Sequence, residues 1–93
     1  MEVGGSAYTI LGVGIGFEDS GEISYVEVCL KPVPPLERAV LESVLRLGKE
    51  VRIVLRDKTF GVTCSGYTLR SRQIEDGRLC YIFSGGRYAF NGV

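Results

Sequence analysis

Hydrophobic residues alternate with polar or glycine residues through most of this chain, and a period of two predicts β-strands. In Tyr8–Phe17 the apolar side chains alternate with three glycines, and the run Glu22–Lys31 alternates again, with Val26, Val28 and Leu30 on one side. The acidic segment Glu18-Asp19-Ser20-Gly21 between these strands has the composition of a turn. We therefore predict a long hairpin.

The expected register of that hairpin pairs Phe17 with Glu22, which sets Val13 opposite Val26. Apolar side chains then share one face of the sheet, whereas a shift of one residue would separate them. Tyr25 would lie opposite Gly14, where its ring would cover the bare backbone.

A helix is predicted after Val33-Pro34-Pro35, because proline is tolerated in the first helical turn. Gly48 is placed to end the helix in a left-handed conformation. The expected core-facing stripe is Leu36, Val40, Val44 and Leu47, with Arg38, Glu42 and Arg46 forming charge pairs on the opposite side.

The second half of the chain predicts four more strands, Glu50–Arg56, Thr59–Ile74, Leu79–Ser84 and Arg87–Phe90. Two-residue turns are expected at Asp57-Lys58, Asp76-Gly77 and Gly85-Gly86. The predicted fold is α+β and β-rich, in the order ββαββββ: a mostly antiparallel sheet or small open barrel packed by one helix. The shared core is expected to contain Val51, Ile53, Leu55, Phe60, Val62, Leu36, Val40 and Val44.

Strict alternation from Phe60 onward would send Arg70 and Arg72 into the core. Two unpaired guanidinium groups in an apolar interior are too costly. A β-bulge at Ser65-Gly66 would reverse the parity, turning both arginines outward and Tyr67 inward.

The expected turns then bring arginines and aromatic rings onto one face of the C-terminal sheet. This candidate interaction surface consists of Arg70, Arg72, Tyr81, Phe83, Tyr88 and Phe90. A secondary basic face is expected at Arg52, Arg56 and Lys58.

The length fits one domain, residues 1–93, with residues 1–6 as a flexible N-terminal tail. No run of eighteen apolar residues is present, so we expect no membrane partner. The net charge is zero, yet residues 1–48 carry −4 and residues 49–93 carry +4. The two halves either neutralise each other within the fold or form a dipolar molecule that docks with a partner.

Cys29, Cys64 and Cys80 lie far apart in apolar strands, and the sequence contains no histidine. The common nucleophile–histidine and zinc sites are therefore excluded, and we expect neither an enzyme nor a metal or other cofactor. Reduced, buried thiols are expected, which indicates a reducing compartment and a cytoplasmic location.

A local resemblance to the Sm-like family of RNA-binding rings covers Leu41–Tyr67. It rests on Gly48-Lys49-Glu50-Val51, Leu55-Arg56-Asp57, Thr59-Phe60 and Gly66-Tyr67. The resemblance implies a small barrel that binds RNA. Thr68–Arg72 contains neither the Asp nor the Asn of that family's nucleotide pocket, so no binding residue is carried over.

The leading hypothesis is a non-enzymatic protein-interaction, assembly or adaptor domain that associates with itself through the C-terminal sheet. The alternative is a small nucleic-acid-binding module that uses the arginine and tyrosine face. The zero net charge favours the first hypothesis.

Overall fold

The computed structural model describes residues 1–55, 61–74 and 76–90, and confirms an α+β, β-rich, antiparallel fold. Two sheets are present, one with strand order β2-β1-β5-β6-β9 and one with order β3-β4-β8-β7; within the described ranges neither closes into a barrel. The elements are β1 Glu2–Val3, β2 Ser6–Ala7, β3 Ile10–Phe17, β4 Ile23–Leu30, α1 Pro35–Arg46, β5 Val51–Val54, β6 Gly61–Ser65, β7 Thr68–Gln73, β8 Leu79–Ser84 and β9 Arg87–Phe90.

One core lies between the two sheets and the helix. Its largest fully buried side chains come from all three layers, and they include Val26, Val28, Leu30, Leu41, Leu45, Val51, Ile53, Val62, Tyr81 and Phe83. Because one continuous cluster serves both sheets, neither sheet has a separate interior.

The N-terminal residues differ from the flexible tail that we expected. Glu2 and Val3 form β1, which pairs with β5 through Val3 and Val51. Met1 and Val3 are both buried. Burial of apolar side chains and main-chain hydrogen bonds hold this segment in place. The segment is too short to show an alternating pattern, so the sequence does not indicate a strand here.

The long hairpin is confirmed, but its predicted register is wrong by two residues from Gly12 to Gly16 and by one residue at Phe17, because the pairing is irregular between Ile10 and Gly12 and between Gly16 and Phe17. Val13 lies opposite Val28, and Ile15 lies opposite Val26. A shift of two keeps every side chain on the same face, so matching of apolar faces cannot detect it. Tyr25 consequently lies opposite Gly16, and its ring occupies the space that a Cβ atom at Gly16 would need.

The pairing of β5 with β6 is confirmed at Ile53 with Val62 and at Val51 with Cys64. Leu55 is half-buried. The turn predicted at Asp57-Lys58, with Arg56 and Phe60 beside it, lies outside the described residues.

The predicted strand Thr59–Ile74 is divided at Gly66, whose φ of 62° is left-handed. Here the chain leaves the five-stranded sheet as β6 and enters the four-stranded sheet as β7. The parity reverses as predicted, because Arg70 and Arg72 are exposed and Tyr67 and Leu69 are partly buried. Glycine permits this corner at little conformational cost.

The predicted register of β7 with β8 is wrong by one residue. Arg72 lies opposite Cys80, and Arg70 lies opposite Ile82. The cause is the turn, which Ile74 and Arg78 close through a 2.9 Å bond from the Ile74 N–H to the Arg78 carbonyl. Three residues intervene, with Gly77 at φ 86° in the last position, which is the second commonest hairpin geometry.

Gly85-Gly86 does not connect a hairpin. The last strand, β9, pairs with β6 in the other sheet, with Tyr88 opposite Cys64. A Cβ atom on Gly86 would lie 2.6 Å from the Ser65 carbonyl oxygen and 2.9 Å from the Tyr67 Cα, so the backbone here closely approaches the corner between β6 and β7. The glycine pair therefore marks a crossing between sheets.

The helix packs on a different face from the one predicted. Leu41 and Leu45 are buried, whereas Leu36 and Val40 are exposed and Val44 is partly buried. With about 100° of rotation per residue, the buried face is turned by roughly a quarter of a circle from the expected stripe. Apolar residues occupy much of the helix circumference, so periodicity alone permits more than one packing face.

The helix termini and charge pairs agree with prediction. Gly48 has φ 74° and donates its N–H to the Leu45 carbonyl. Arg38 bonds Glu42 at 2.9 Å, and Arg46 lies 3.9 Å from the same carboxylate.

The prediction of three reduced thiols is wrong for two of them. Cys29 and Cys80 lie opposite each other on β4 and β8 and form a disulfide, with Cα atoms 4.0 Å apart. Two distant strands of the sequence become neighbours in the sheet, which the spacing of 51 residues did not reveal. Cys64 is a free, buried thiol.

Candidate functional site

The six residues of the predicted surface do not share one face. Tyr81 and Phe83 point into the core and are fully buried, while Arg70 and Arg72 lie on the opposite face of the same sheet. The one-residue register shift separates them, because neighbouring positions of a strand point to opposite faces. Tyr81 and Phe83 are therefore inaccessible to a partner in the folded chain.

The outer face of the four-stranded sheet carries a mixed set of side chains around the disulfide. Arg72 lies 3.2 Å from the Glu27 carboxylate across the sheet. Tyr25 is exposed, and the three glycines of β3 leave the adjoining strip of this face without side chains.

Tyr88 and Phe90 belong to the other sheet, on β9. The Tyr88 hydroxyl donates to the Phe83 carbonyl at 2.8 Å and accepts the Gly86 N–H at 3.2 Å. These two hydrogen bonds of Tyr88 therefore stabilise the crossing between the sheets. Phe90 is exposed on the edge strand.

Of the predicted basic face, Arg52 is exposed on β5. Arg56 and Lys58 lie outside the described residues.

The described part of the chain offers little for acid–base or metal chemistry. In residues 1–55, 61–74 and 76–90 no polar or charged residue is buried, and no three potential metal ligands come together. Burial raises the pKa of the Cys64 thiol to about 12, which leaves it a weak nucleophile. Within the same ranges no helix is both long and apolar enough to span a bilayer.

The sheet edges differ sharply in how well they are protected against further pairing. The edge strand β2 has two residues, β9 has four and includes Arg87, and β7 carries Arg70 and Arg72. Short length and outward charge are the usual protections of an edge. The fourth edge, β3, has neither protection.

Strand β3 is eight residues long and contains no charged residue and no proline. Among the described residues no strand pairs with its outer side. Leu11 and Phe17 near its ends are 48% and 59% exposed. An uncharged edge of this length presents a row of main-chain donors and acceptors to a further strand.

The second unpartnered apolar area lies on α1 and is formed by Leu36, Val40 and Leu47. These side chains are 85%, 63% and 76% exposed. Because these apolar side chains face solvent, this side of the helix is the second candidate contact surface.

Sequence reasoning missed both areas as surfaces. The alternation of apolar residues with Gly12, Gly14 and Gly16 indicated one bare strand face, but edge position depends on strand order. The exposure of Leu36 and Val40 depends on the rotation of the helix, for which the sequence carries no signal.

In comparisons with protein-family models, curated proteins and solved structures, none matches this chain. The Sm-like resemblance therefore has no further support, and the absence of a closed barrel in the described ranges departs from what it implied.

Proposed function

We propose that the protein is a non-enzymatic assembly domain that associates with itself. The observation that carries this proposal is the unprotected edge strand β3, with Leu11 and Phe17 exposed at its ends. Apolar side chains and unpaired main-chain groups that face water gain free energy when a partner covers them.

The C-terminal surface expected from the sequence contributes little to this proposal, because Tyr81 and Phe83 are core residues. The same burial weakens the nucleic-acid alternative, which needs those rings for stacking. Of the two arginines that the nucleic-acid alternative would use, Arg72 is paired with Glu27.

The cellular compartment remains a prediction. The cytoplasmic location rests on three reduced thiols, and the Cys29–Cys80 disulfide removes that reason for two of them. Fractionation of cells followed by thiol labelling in each fraction tests the location.

The size of the protein in solution tests the proposed function. Light scattering and sedimentation equilibrium should show a monomer converting to a dimer or larger species as concentration rises through the micromolar range. The same measurement with single-stranded RNA tests the alternative. A monomer at high micromolar concentration, with or without RNA, contradicts self-association.

A further inference from the structure

We propose that β3 pairs antiparallel with β3 of a second copy, about a two-fold axis at Gly14, so that the two four-stranded sheets become one. This inference rests on the proposed function, because it names the surface through which the chain associates with itself. Three features of β3 and its surroundings support it.

The first feature is the self-complementary pattern of the strand. Around Gly14 the sequence Leu11-Gly12-Val13-Gly14-Ile15-Gly16-Phe17 has apolar residues and glycines in the same order in both directions. An antiparallel pair centred on Gly14 therefore sets apolar residues opposite apolar residues, and glycines opposite glycines, on the same face.

In that register Val13 meets the partner's Ile15. Leu11 and Phe17, which flank the regular part of β3 where its pairing with β4 is irregular, come beside each other at both ends. Leu11 and Phe17 are the most exposed large apolar residues of β3. The contact between Leu11 of one copy and Phe17 of the other would occur twice, once at each end of the paired strands. A two-fold interface needs this property, because the same patch serves both copies.

The second feature is the absence of steric obstruction on the other face. Gly12 would lie opposite the partner's Gly16, next to the Tyr25 ring that crosses Gly16. Within residues 1–55, 61–74 and 76–90 no heavy atom lies within 4 Å of the Cβ position of Gly12. The bare glycines therefore leave room for the ring.

The third feature is the charge at the two ends of the hairpin. The turn that follows β3 carries Glu18, Asp19 and Glu22. The opposite end has Lys31, whose N–H donates to the Thr9 carbonyl at 3.0 Å. Antiparallel pairing brings this acidic turn to the end of the partner's hairpin at which Lys31 lies.

Cysteine crosslinking tests the axis directly. Gly14→Cys should form an intermolecular disulfide under mild oxidation, because the two copies of residue 14 meet at the axis. The Cβ atom is accommodated, since its nearest neighbour is the Glu27 Cβ at 4.0 Å. Leu36→Cys is the matched control, because its exposed side chain on α1 lies outside the proposed pairing and should not crosslink.

Charged substitutions test the interface without disturbing the core. Leu11→Lys with Phe17→Lys should raise the dimer dissociation constant at least tenfold. Leu36→Lys, at an exposed site on α1, should change it less than twofold. Melting curves of all variants should show that they remain folded.

A charge exchange tests the antiparallel orientation. Asp19→Lys alone and Lys31→Glu alone should each weaken the dimer a few-fold, because like charges then meet at both ends. An equimolar mixture of the two variants should restore dimerisation, since opposite charges meet at both ends of the mixed dimer. High salt should remove the differences.

The outcomes separate the inference from the proposed function. A monomeric wild type would contradict both the proposed function and the β3 pairing. Three results would overturn the β3 pairing and leave self-association intact. The wild type is a dimer but its dissociation constant is unchanged by the β3 substitutions, or Gly14→Cys forms no crosslink, or Leu36→Lys raises the dissociation constant. Failure of the mixture to recover overturns the antiparallel register.

Discussion

The hydroxyl group of Tyr67 lies 2.7 Å from the carbonyl oxygen of Lys49 and 3.1 Å from that of Leu45. Tyr67 stands at the corner between β6 and β7, so this contact connects the corner to the C-terminal end of the helix. Its ring also meets Phe83 edge to face, with centroids 4.7 Å apart. One side chain thus joins the helix to both sheets.

Removing the Tyr67 hydroxyl should weaken the fold. Tyr67→Phe loses the bond to the Lys49 carbonyl and should lower the free energy of unfolding by about 1 kcal/mol. Urea denaturation, read by circular dichroism, measures the change. Stability equal to that of the wild type would show that the contact contributes nothing.

Removing the Tyr81 hydroxyl should have the opposite effect. This oxygen is buried and makes no hydrogen bond within the described part of the chain. Arg38 and Glu42 lie close enough to the hydroxyl to act on its pKa, but neither makes a geometrically acceptable hydrogen bond with it. Tyr81→Phe should therefore leave the free energy of unfolding unchanged or raise it by about 1 kcal/mol, because an unsatisfied polar group leaves a buried position. A loss above about 1 kcal/mol would reveal a partner for the hydroxyl.

Alkaline pH should unfold the protein through its buried phenols. Burial raises the pKa of Tyr67 and of Tyr81 from 10 to about 12. The unfolded chain then releases these protons at lower pH than the folded chain does, so the contribution of the two phenols is complete below pH 10 and is lost between pH 10 and 12. The Cys64 thiol, whose pKa is raised from 9 to about 12, adds a loss of stability that begins near pH 9. Phenolate absorbance should rise together with unfolding, and the fall should be shallower in Tyr81→Phe.

The disulfide should contribute much of the stability. The bridge closes a loop with a sequence separation of 51 residues, and its loss through Cys29→Ala with Cys80→Ala should cost about 4 kcal/mol. Cys64→Ala is the control that retains the bridge. Alkylation of the unfolded, unreduced protein should label Cys64 alone, and labelling at all three cysteines would contradict the disulfide.

The crossing at Gly86 should not tolerate a side chain. A methyl group there would lie 2.6 Å from the Ser65 carbonyl oxygen and 2.9 Å from the Tyr67 Cα, which are backbone atoms. Gly86→Ala should cost about 1–3 kcal/mol, as overpacking does. Gly12→Ala, with no described atom within 4 Å, is the matched control and, at a protein concentration low enough to keep the chain monomeric, should leave the melting temperature nearly unchanged.

Local pattern predicted the fold class, the long hairpin, the end of the helix at Gly48 and the outward turn of Arg70 and Arg72. These features depend on alternation, turn composition and the cost of burying charge, which neighbouring residues determine. The pairing of Ile53 with Val62 followed in the same way.

The candidate site was predicted poorly because it depends on register and strand order. Asp76-Gly77 suits both a two-residue and a three-residue turn, and this one-residue difference decides whether Arg72 lies on the face of Tyr81 or of Cys80. Gly85-Gly86 suits both a hairpin and a crossing between sheets. The choice between them depends on contacts between distant segments, which local pattern does not specify.

The strand order also has a consequence for how fast the chain folds. Val3 pairs with Val51, Val26 with Phe83 and Val62 with Phe90, so each sheet is completed by segments far apart in sequence. The entropy of closing such loops is lost before their contacts form. The β1–β2, β3–β4, β5–β6 and β7–β8 pairs and the helix are local enough in sequence to form early. Refolding on the millisecond-to-second scale of β-rich domains is therefore expected, with the meeting of β4 and β8 as the late event.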